Sequence, residues 1–382
     1  MSRVDELIKK LCPNGVEFVP LNSVAELQRG NSITKKSIND GNVPVVAGGR
    51  SIAYFHDTAN RDGETIVVAG SGAYAGFVSW WEVPIFVSDA FSIKVNQSEL
   101  DAKYCFYFLK HKQETLHNLK RGSGVAHVYP KDVGILKIPV PPLEIQHEIA
   151  RILDKFTQLE AELEAELEAR RKQYAHYRDQ LLTFPETGGQ PLKLAEVCRS
   201  IRSGGTPNSK KREFYGGNVP WVRTQDVDFN VINEPSASIT AEAVEASSAK
   251  WIPKNSVIVA MYGATAAKVA INAIPVTTNQ ACCNLEIDPE IADFKYVFYW
   301  LSSRYLELKS KGAGSQANIN SKVIKNFPIV LPPLEEQRRI VAILDKFDAL
   351  VNDISTGLPA EIAARRRQYE YYRDKLLSFE PV

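Results

Sequence analysis

The chain has few of the residues that carry chemistry. Among its 382 residues are six His, five Cys and two Met. Cys12, Cys105, Cys198, Cys282 and Cys283 are odd in number and form no Cys-x-x-Cys pair, which argues against a disulfide framework or a zinc site and for a reducing compartment, the cytoplasm. The histidines are scattered, and none stands beside a Ser or Cys in a triad-like pattern. No G-x-x-x-x-G-K-[ST] is present, which excludes an ATP-driven motor of that kind. A methyltransferase acting on a flipped adenine needs a loop such as Asn-Pro-Pro-Tyr, whereas both Pro-Pro pairs that open the repeated passages here are followed by Leu-Glu. Glu307-Leu308-Lys309 is a lone tripeptide without the Asp and the strand of an acidic nuclease site. No metal, no cofactor and no catalysis by the chain itself are expected.

An excess of one charge is missing too. Lys and Arg number 46 against 45 Asp and Glu, a net charge of +1, so a nucleic-acid partner requires cations segregated onto one face. No apolar run approaches the ~20 residues of a membrane span, and MSRVDELIKKL reads as a charged amphipathic segment, not a signal peptide. With 44% hydrophobic and 24% charged residues, the chain has the composition of a globular protein with room for two or three domains.

What it does contain is a duplication. PPLEIQHEIARILDKF (Pro141–Phe156) returns as PPLEEQRRIVAILDKF (Pro332–Phe347), and ARRKQYAHYRDQLLTF (Ala169–Phe184) as ARRRQYEYYRDKLLSF (Ala364–Phe379). Such an internal repeat implies two similar units joined by similar connectors. Each half begins with short apolar runs and turn signals that read as buried strands, such as ETIVVAG (Glu64–Gly70), VPIFVSDAFSIKV (Val83–Val95) and NSVIVAMYG (Asn255–Gly263). A helix (Lys103–Lys120) and a glycine-containing loop follow, RGSGVAHVY (Arg121–Tyr129) in the first half and KGAGSQANI (Lys311–Ile319) in the second. The spacing is kept while the loop residues differ. Mixed α/β domains, alike in fold and different in surface, are the result.

Each half ends in a long helical segment. Ile145, Ile149, Ile152, Phe156, Leu159 and Leu163 alternate steps of four and three, a coiled-coil seam. Leu159, Leu163 and Leu167 then continue in fours, a stutter. The second copy, with Leu350, Ile354, Leu358 and Ile362, has one four-residue step more, and Gly357 and Pro359 in that step predict a kink or break. The seam must be buried against its own duplicate, packed antiparallel, or against a second copy of the chain.

These blocks carry a family resemblance. The PPLEEQ-x-x-I-x-x-x-LDKF passage, the LEAE tetrads, the RRKQYxxYRDxLLxF passage and SGGTP (Ser203–Pro207) followed by GNVPWVRTQD (Gly217–Asp226) resemble the specificity subunits of type I restriction–modification systems. The resemblance spans essentially the whole chain. It implies an α+β architecture of two target recognition domains, residues 1–142 and 186–333. These alternate with two spacer helices, 143–185 and 334–382, forming an antiparallel intramolecular coiled coil of pseudo-twofold character. It further implies that each domain reads half of a split, asymmetric double-stranded DNA target. DNA adenine methyltransferase subunits, two of them expected, would dock on the helices, and motor-nuclease subunits would join them.

Under that resemblance the candidate DNA contacts of the first domain are Lys35, Lys36, Arg50, Tyr74, Lys120, Arg121, Ser123, His127 and Tyr129. Those of the second are Lys210, Lys211, Arg212, Arg223, Thr224, Gln225, Tyr262, Lys268, Lys309, Lys311, Ser315 and Gln316. Arg and Gln can make bidentate contacts to guanine and adenine, so Arg223, Gln225 and Gln316 are the base readers, while Lys210, Lys211, Lys309 and Lys311 suit phosphates. A surface Lys or Arg is more often simply solvated. The RRKQY and RRRQY blocks suit ion pairing with glutamates of the opposite helix at least as well as DNA. Tyr174, Tyr177, Tyr369 and Tyr372, at helical spacing, suit packing better than base stacking. A structural adaptor with protein-binding domains is the competing reading, and the divergence of the loops argues against it.

Overall fold

The computed structural model describes residues 3–33, 38–122, 124–184, 189–312, 318–353 and 355–382. The chain forms two compact units. One is made of residues 1–164 with 361–382, the other of residues 165–360.

The first unit is built on an antiparallel four-stranded sheet in the order Ala25–Arg29, Ala90–Val95, Thr65–Ala69, Val78–Trp81. Thr65–Ala69 is buried along its whole length, as a continuous apolar run between two faces requires. A second sheet pairs Tyr54–His56 with Val43–Val46 and, in parallel, Phe86–Val87. The run Val83–Val95, read from the sequence as buried strand, forms two strands in different sheets, Phe86–Val87 and Ala90–Val95. The expected helix Lys103–Lys120 is also divided. It forms Ala102–His111 and Gln113–Asn118 around Lys112, whose φ of −88° and ψ of 16° leave the helical region. The restart lets Gln113 donate to the Gly76 carbonyl (2.6 Å) and accept from the Val78 N–H (3.0 Å).

The second unit repeats this plan. Cys198–Ser203, Cys282–Ile287, Val257–Ala260 and Val269–Asn272 form an antiparallel sheet, with Asn230–Ile232 added in parallel at its edge. Ser238–Ile239, Tyr215–Val222 and Thr277–Thr278 make the smaller sheet. Helix Phe294–Ser303 breaks at Arg304 before Tyr305–Ser310, like its counterpart. The architecture is α+β, a duplicated mixed unit.

Leu143–Leu181 is one helix of 39 residues, about 58 Å at ~1.5 Å per residue, without Gly or Pro to interrupt it. Its first turns bury Ile145, Ile149 and Leu153 in the core of the first unit. The expected seam thus begins as a core-facing stripe completed by Leu153, with Ile152 only half-buried, and Leu159 stands 47% exposed. The second copy breaks where Gly357 and Pro359 predicted, into Leu334–Asn352 and Leu358–Leu376. Asp353 accepts from the Ser355 N–H and hydroxyl and from the Thr356 hydroxyl, closing the junction. Pro359 falls in the first turn of the new helix, where an N–H has no helical partner to lose. Leu358 and Ile362 of the expected seam are buried and Leu350 is exposed, while Ile354 lies outside the described residues.

Within the first unit Phe156 stacks on Tyr372, with ring centroids 5.6 Å apart, and Arg366 pairs with Glu160 (2.5 Å) and Glu164. Within the second, Phe347 stacks on Tyr177 at 5.6 Å and meets Tyr174. In both units, then, the Phe of one LDKF passage meets tyrosines from an RRxQY passage of the other repeat.

Candidate nucleic-acid interface

In the first unit, strand Thr65–Ala69 runs out into the turn Gly70–Tyr74. The Gly70 carbonyl accepts from the Val128 N–H (3.0 Å), and the Gly72 N–H donates to Ala126 (2.9 Å). Arg121 and His127 exchange two backbone hydrogen bonds of 2.9 and 2.8 Å, closing their loop. Gly48 approaches so closely that a Cβ there would lie 2.4 Å from the Ser71 carbonyl oxygen, which brings the adjoining Arg50 to the same turn. Arg50, Tyr74, Lys120, Arg121, His127 and Tyr129, spread over 80 residues of sequence, are thereby joined in one surface.

The side chains within it are held. Arg50 lies over the Tyr74 ring, 4.7 Å from its centroid, and Lys120 donates to the Ala73 carbonyl (2.9 Å). Arg121, mostly exposed, bonds to buried Asp132 (3.1 Å), whose other carboxylate oxygen is buried without a partner. His127 stacks on Tyr129 at 5.9 Å, and Arg29 and Lys131 each come within 5.9 Å of the Tyr129 ring. Arg29 was missed in the sequence because it lies some hundred residues from the glycine-containing loop, and Lys131 and Asp132 because they fall in the short helix that follows it. Lys35, Lys36 and Ser123 lie outside the described residues.

The second unit reproduces the frame with other side chains. The Ile319 N–H donates to Met261 (2.9 Å), the counterpart of Val128 to Gly70, and the Gly263 N–H donates to the Asn318 side chain (3.3 Å). Thr265 donates to the Thr224 carbonyl (2.8 Å), tying the Arg223-Thr224-Gln225 turn to the turn that bears Tyr262. Arg223 and Gln225 both donate to the Ser236 hydroxyl oxygen, at 3.0 and 3.2 Å, and Arg223 Nε is buried without a partner. Sequence gave no signal for Ser236.

The cations divide into free and paired. Lys210, Lys211 and Arg212 are exposed on a separate loop, Lys211 lying over Phe214. Lys268 is neutralised by Asp228 at 2.6 Å, Lys309 donates to the Tyr305 hydroxyl (2.8 Å), and Lys311 meets Glu307 at 3.7 Å. Ser315 and Gln316 lie outside the described residues.

Planar donors on a rigid loop frame suit recognition better than bond making. Burial pushes the thiols of Cys198 and Cys283 up to about 12, and those of Cys105 and Cys282 are raised further, so these sulfurs are not poised as nucleophiles. Among the described residues no His, Cys, Asp and Glu are grouped to hold a metal. A groove of about 1340 Å³ in the second unit is lined by five aspartates, Asp179, Asp228, Asp345, Asp348 and Asp353, against Arg178 and Lys295, a net negative lining that disfavours phosphate. No described helix is long and apolar enough to cross a membrane.

The family model for the type I restriction modification DNA specificity domain matches residues 13–169 and again 188–364. The chain belongs to this family. It is 34% identical to the type I restriction enzyme EcoR124I/EcoR124II specificity subunit of Escherichia coli, over 99% of this chain and 98% of that one. In structure it resembles the type I restriction–modification S subunit of M. genitalium, with a TM-score of 0.65 at 19% identity, covering 96% and 97% of the two chains. It also resembles the HsdS subunit of Thermoanaerobacter tengcongensis, with a TM-score of 0.50 at 20% identity, covering 96% and 97%. These two likenesses bear on the fold alone. For this specificity-family chain they agree with the α+β, duplicated plan.

Proposed function

We propose that this chain is the sequence-specific DNA-binding subunit of a type I restriction–modification complex, with each globular domain reading one half of a split, asymmetric target. The observation that supports it most is the duplicated loop frame. The same backbone bond, Val128 to Gly70 and Ile319 to Met261, holds Arg121, His127 and Tyr129 in one unit and Tyr262 in the other, where Thr265 ties in the turn of Arg223 and Gln225. Equal scaffolds with unequal donors are what two different half-sites require.

The recognition domains are residues 1–142 and 186–333, and the spacer helices 143–185 and 334–382. The Phe156–Tyr372 and Phe347–Tyr177 contacts support pairing of the helices as an antiparallel intramolecular coiled coil. In this reading the helices set the gap between half-sites and dock two DNA adenine methyltransferase subunits, motor-nuclease subunits complete the complex in the cytoplasm, and the chain itself performs no catalysis. Base readout falls to Arg223, Gln225 and Gln316, and phosphate contact to Lys210, Lys211, Lys309 and Lys311.

The test is to co-express the chain with its methyltransferase partner and map N6-methyladenine by single-molecule sequencing. One split motif with a fixed gap is expected. An assembled complex that yields no motif would overturn this reading in favour of a protein-binding adaptor.

A further inference from the structure

Lys110 was not among the candidate contacts, yet it stands beside a second cation, Arg50, over a shared ring. Its ammonium lies 4.9 Å from the centroid of the Phe77 ring, and the Arg50 guanidinium lies 5.5 Å from the same centroid. Arg50 also covers Tyr74. Two cations share one ring, and among the described residues neither makes an ion pair or hydrogen bond with a carboxylate. Lysine carries three N–H donors and arginine five, and an aromatic face accepts none of them in full. Asp374 is occupied by Arg373 and His111. Partial burial and the charges of Arg50 and Arg373 depress the Lys110 ammonium below its ordinary range, as expected where like charges converge without an anion.

The ground beneath the cluster is firm. Lys120, His117 and Gln113 bond to the carbonyl oxygens of Ala73, Ala75 and Gly76, fixing the segment that presents Tyr74 and Phe77. That segment continues the turn of the candidate interface. The second unit has no such pair: at the positions of Phe77 and Lys110 it carries Lys268, bound to Asp228, and Ser302.

We infer that Arg50 and Lys110, gathered over Phe77, form a binding site for one phosphodiester of the duplex beside the first half-site, a contact without counterpart in the second domain. This rests on the DNA-binding reading above. Two cations held at one ring, with donors not spent on a carboxylate, supply the charge and N–H groups that a phosphate takes, and a backbone contact of this kind positions the duplex without reading sequence.

The test measures duplex affinity against salt for the full chain in complex with its methyltransferase, using Lys110→Met, Arg50→Met, the two together and Lys110→Arg. Methionine keeps the stem packed on Phe77, and circular dichroism with complex assembly checks the fold. Removing both cations together, in Arg50→Met/Lys110→Met, is expected to flatten the slope of log K against log salt by about 0.9 and to weaken binding about fivefold at 0.15 M salt, on target and unrelated duplexes alike, and each single Met variant is expected to give part of that change. Lys110→Arg should restore the slope. Unchanged slopes in the single and double Met variants, with the wild-type complex binding normally, would overturn the site and leave the DNA-binding reading intact. A wild-type complex with no salt-dependent binding would overturn both. Stabilisation of the DNA-free complex by inorganic phosphate, lost in Lys110→Met while the DNA slope is unchanged, would reassign the pair to a free anion and overturn the duplex contact.

Discussion

At the residue scale, the attachment of each globular domain to its helix depends on a buried amide. Gln146 accepts from the Asp101 N–H (2.8 Å) and donates to the Glu99 and Pro141 carbonyls (2.8 and 2.7 Å). Gln337 does the same with Asp293, Ile291 and Pro332. Both are essentially without solvent exposure. A second pair of ties runs from Tyr107 to Asp154 (2.6 Å) and from Tyr299 to Asp345 (2.7 Å). Gln146→Leu would strand one N–H and two carbonyls, and a loss of ~1–3 kcal/mol confined to the first unit is expected, read as local loss of hydrogen-exchange protection around Glu99–Asp101. Gln337→Leu should do the same in the second. Equal protection in the variants would show that water replaces the amide. The role of these glutamines was not legible in the sequence, because an amide in the first turn of a helix reads as solvent-facing until its buried partners, some 45 residues away, are known. Arg121 and Gln225 were legible as donors. Their fixing partners Asp132 and Ser236 were not, since each lies 11 residues on, past the turn, and only the fold turns it back.

At the element scale, periodicity and breakers carried most of the information. The long helix Leu143–Leu181 followed from an uninterrupted run of good helix formers, and the break at Gly357 and Pro359 from two breakers in one turn. The seam was less legible. A four-three pattern cannot separate a helix face packed on a globular core from one packed on another helix, and here Ile145 and Ile149 do the former. The divided helix Ala102–His111 and Gln113–Asn118 was missed because no Gly or Pro marks Lys112; the tertiary demand of Gly76 and Val78 on Gln113 sets the break. The junction between Asn352 and Leu358 is tight. A Cβ on Gly357 would lie 2.5 Å from the Ala349 carbonyl oxygen. Gly357→Val is therefore expected to destabilise the junction by ~1–3 kcal/mol, measured as a lower midpoint of thermal unfolding, and an unchanged midpoint would mean that the junction relaxes freely.

At the scale of the whole molecule, the proposed spacer makes a metric prediction. One more LEAE tetrad after Leu163 lengthens the helix by ~6 Å, against a duplex rise of ~3.4 Å per base pair. The methylated motif of such a variant should keep both half-sites and widen its gap by one or two base pairs. Methylation of the original spacing alone would sink the idea that the helices measure the gap.

The bookends of the first unit have a consequence in time. Val16 donates to the Glu380 carbonyl (2.8 Å), and Leu376 and Leu377 lie in the same core as Val4 and Leu7. This unit is discontinuous, whereas the second is one unbroken stretch, Ala165–Ala360. At ~5–20 residues per second, a ribosome needs roughly 10–40 s to travel from Glu164 to Glu361. Throughout that interval the first unit waits for the segment of chain that closes it. The second, begun later, has every residue it needs first, so the order of completion on the ribosome reverses the order of synthesis.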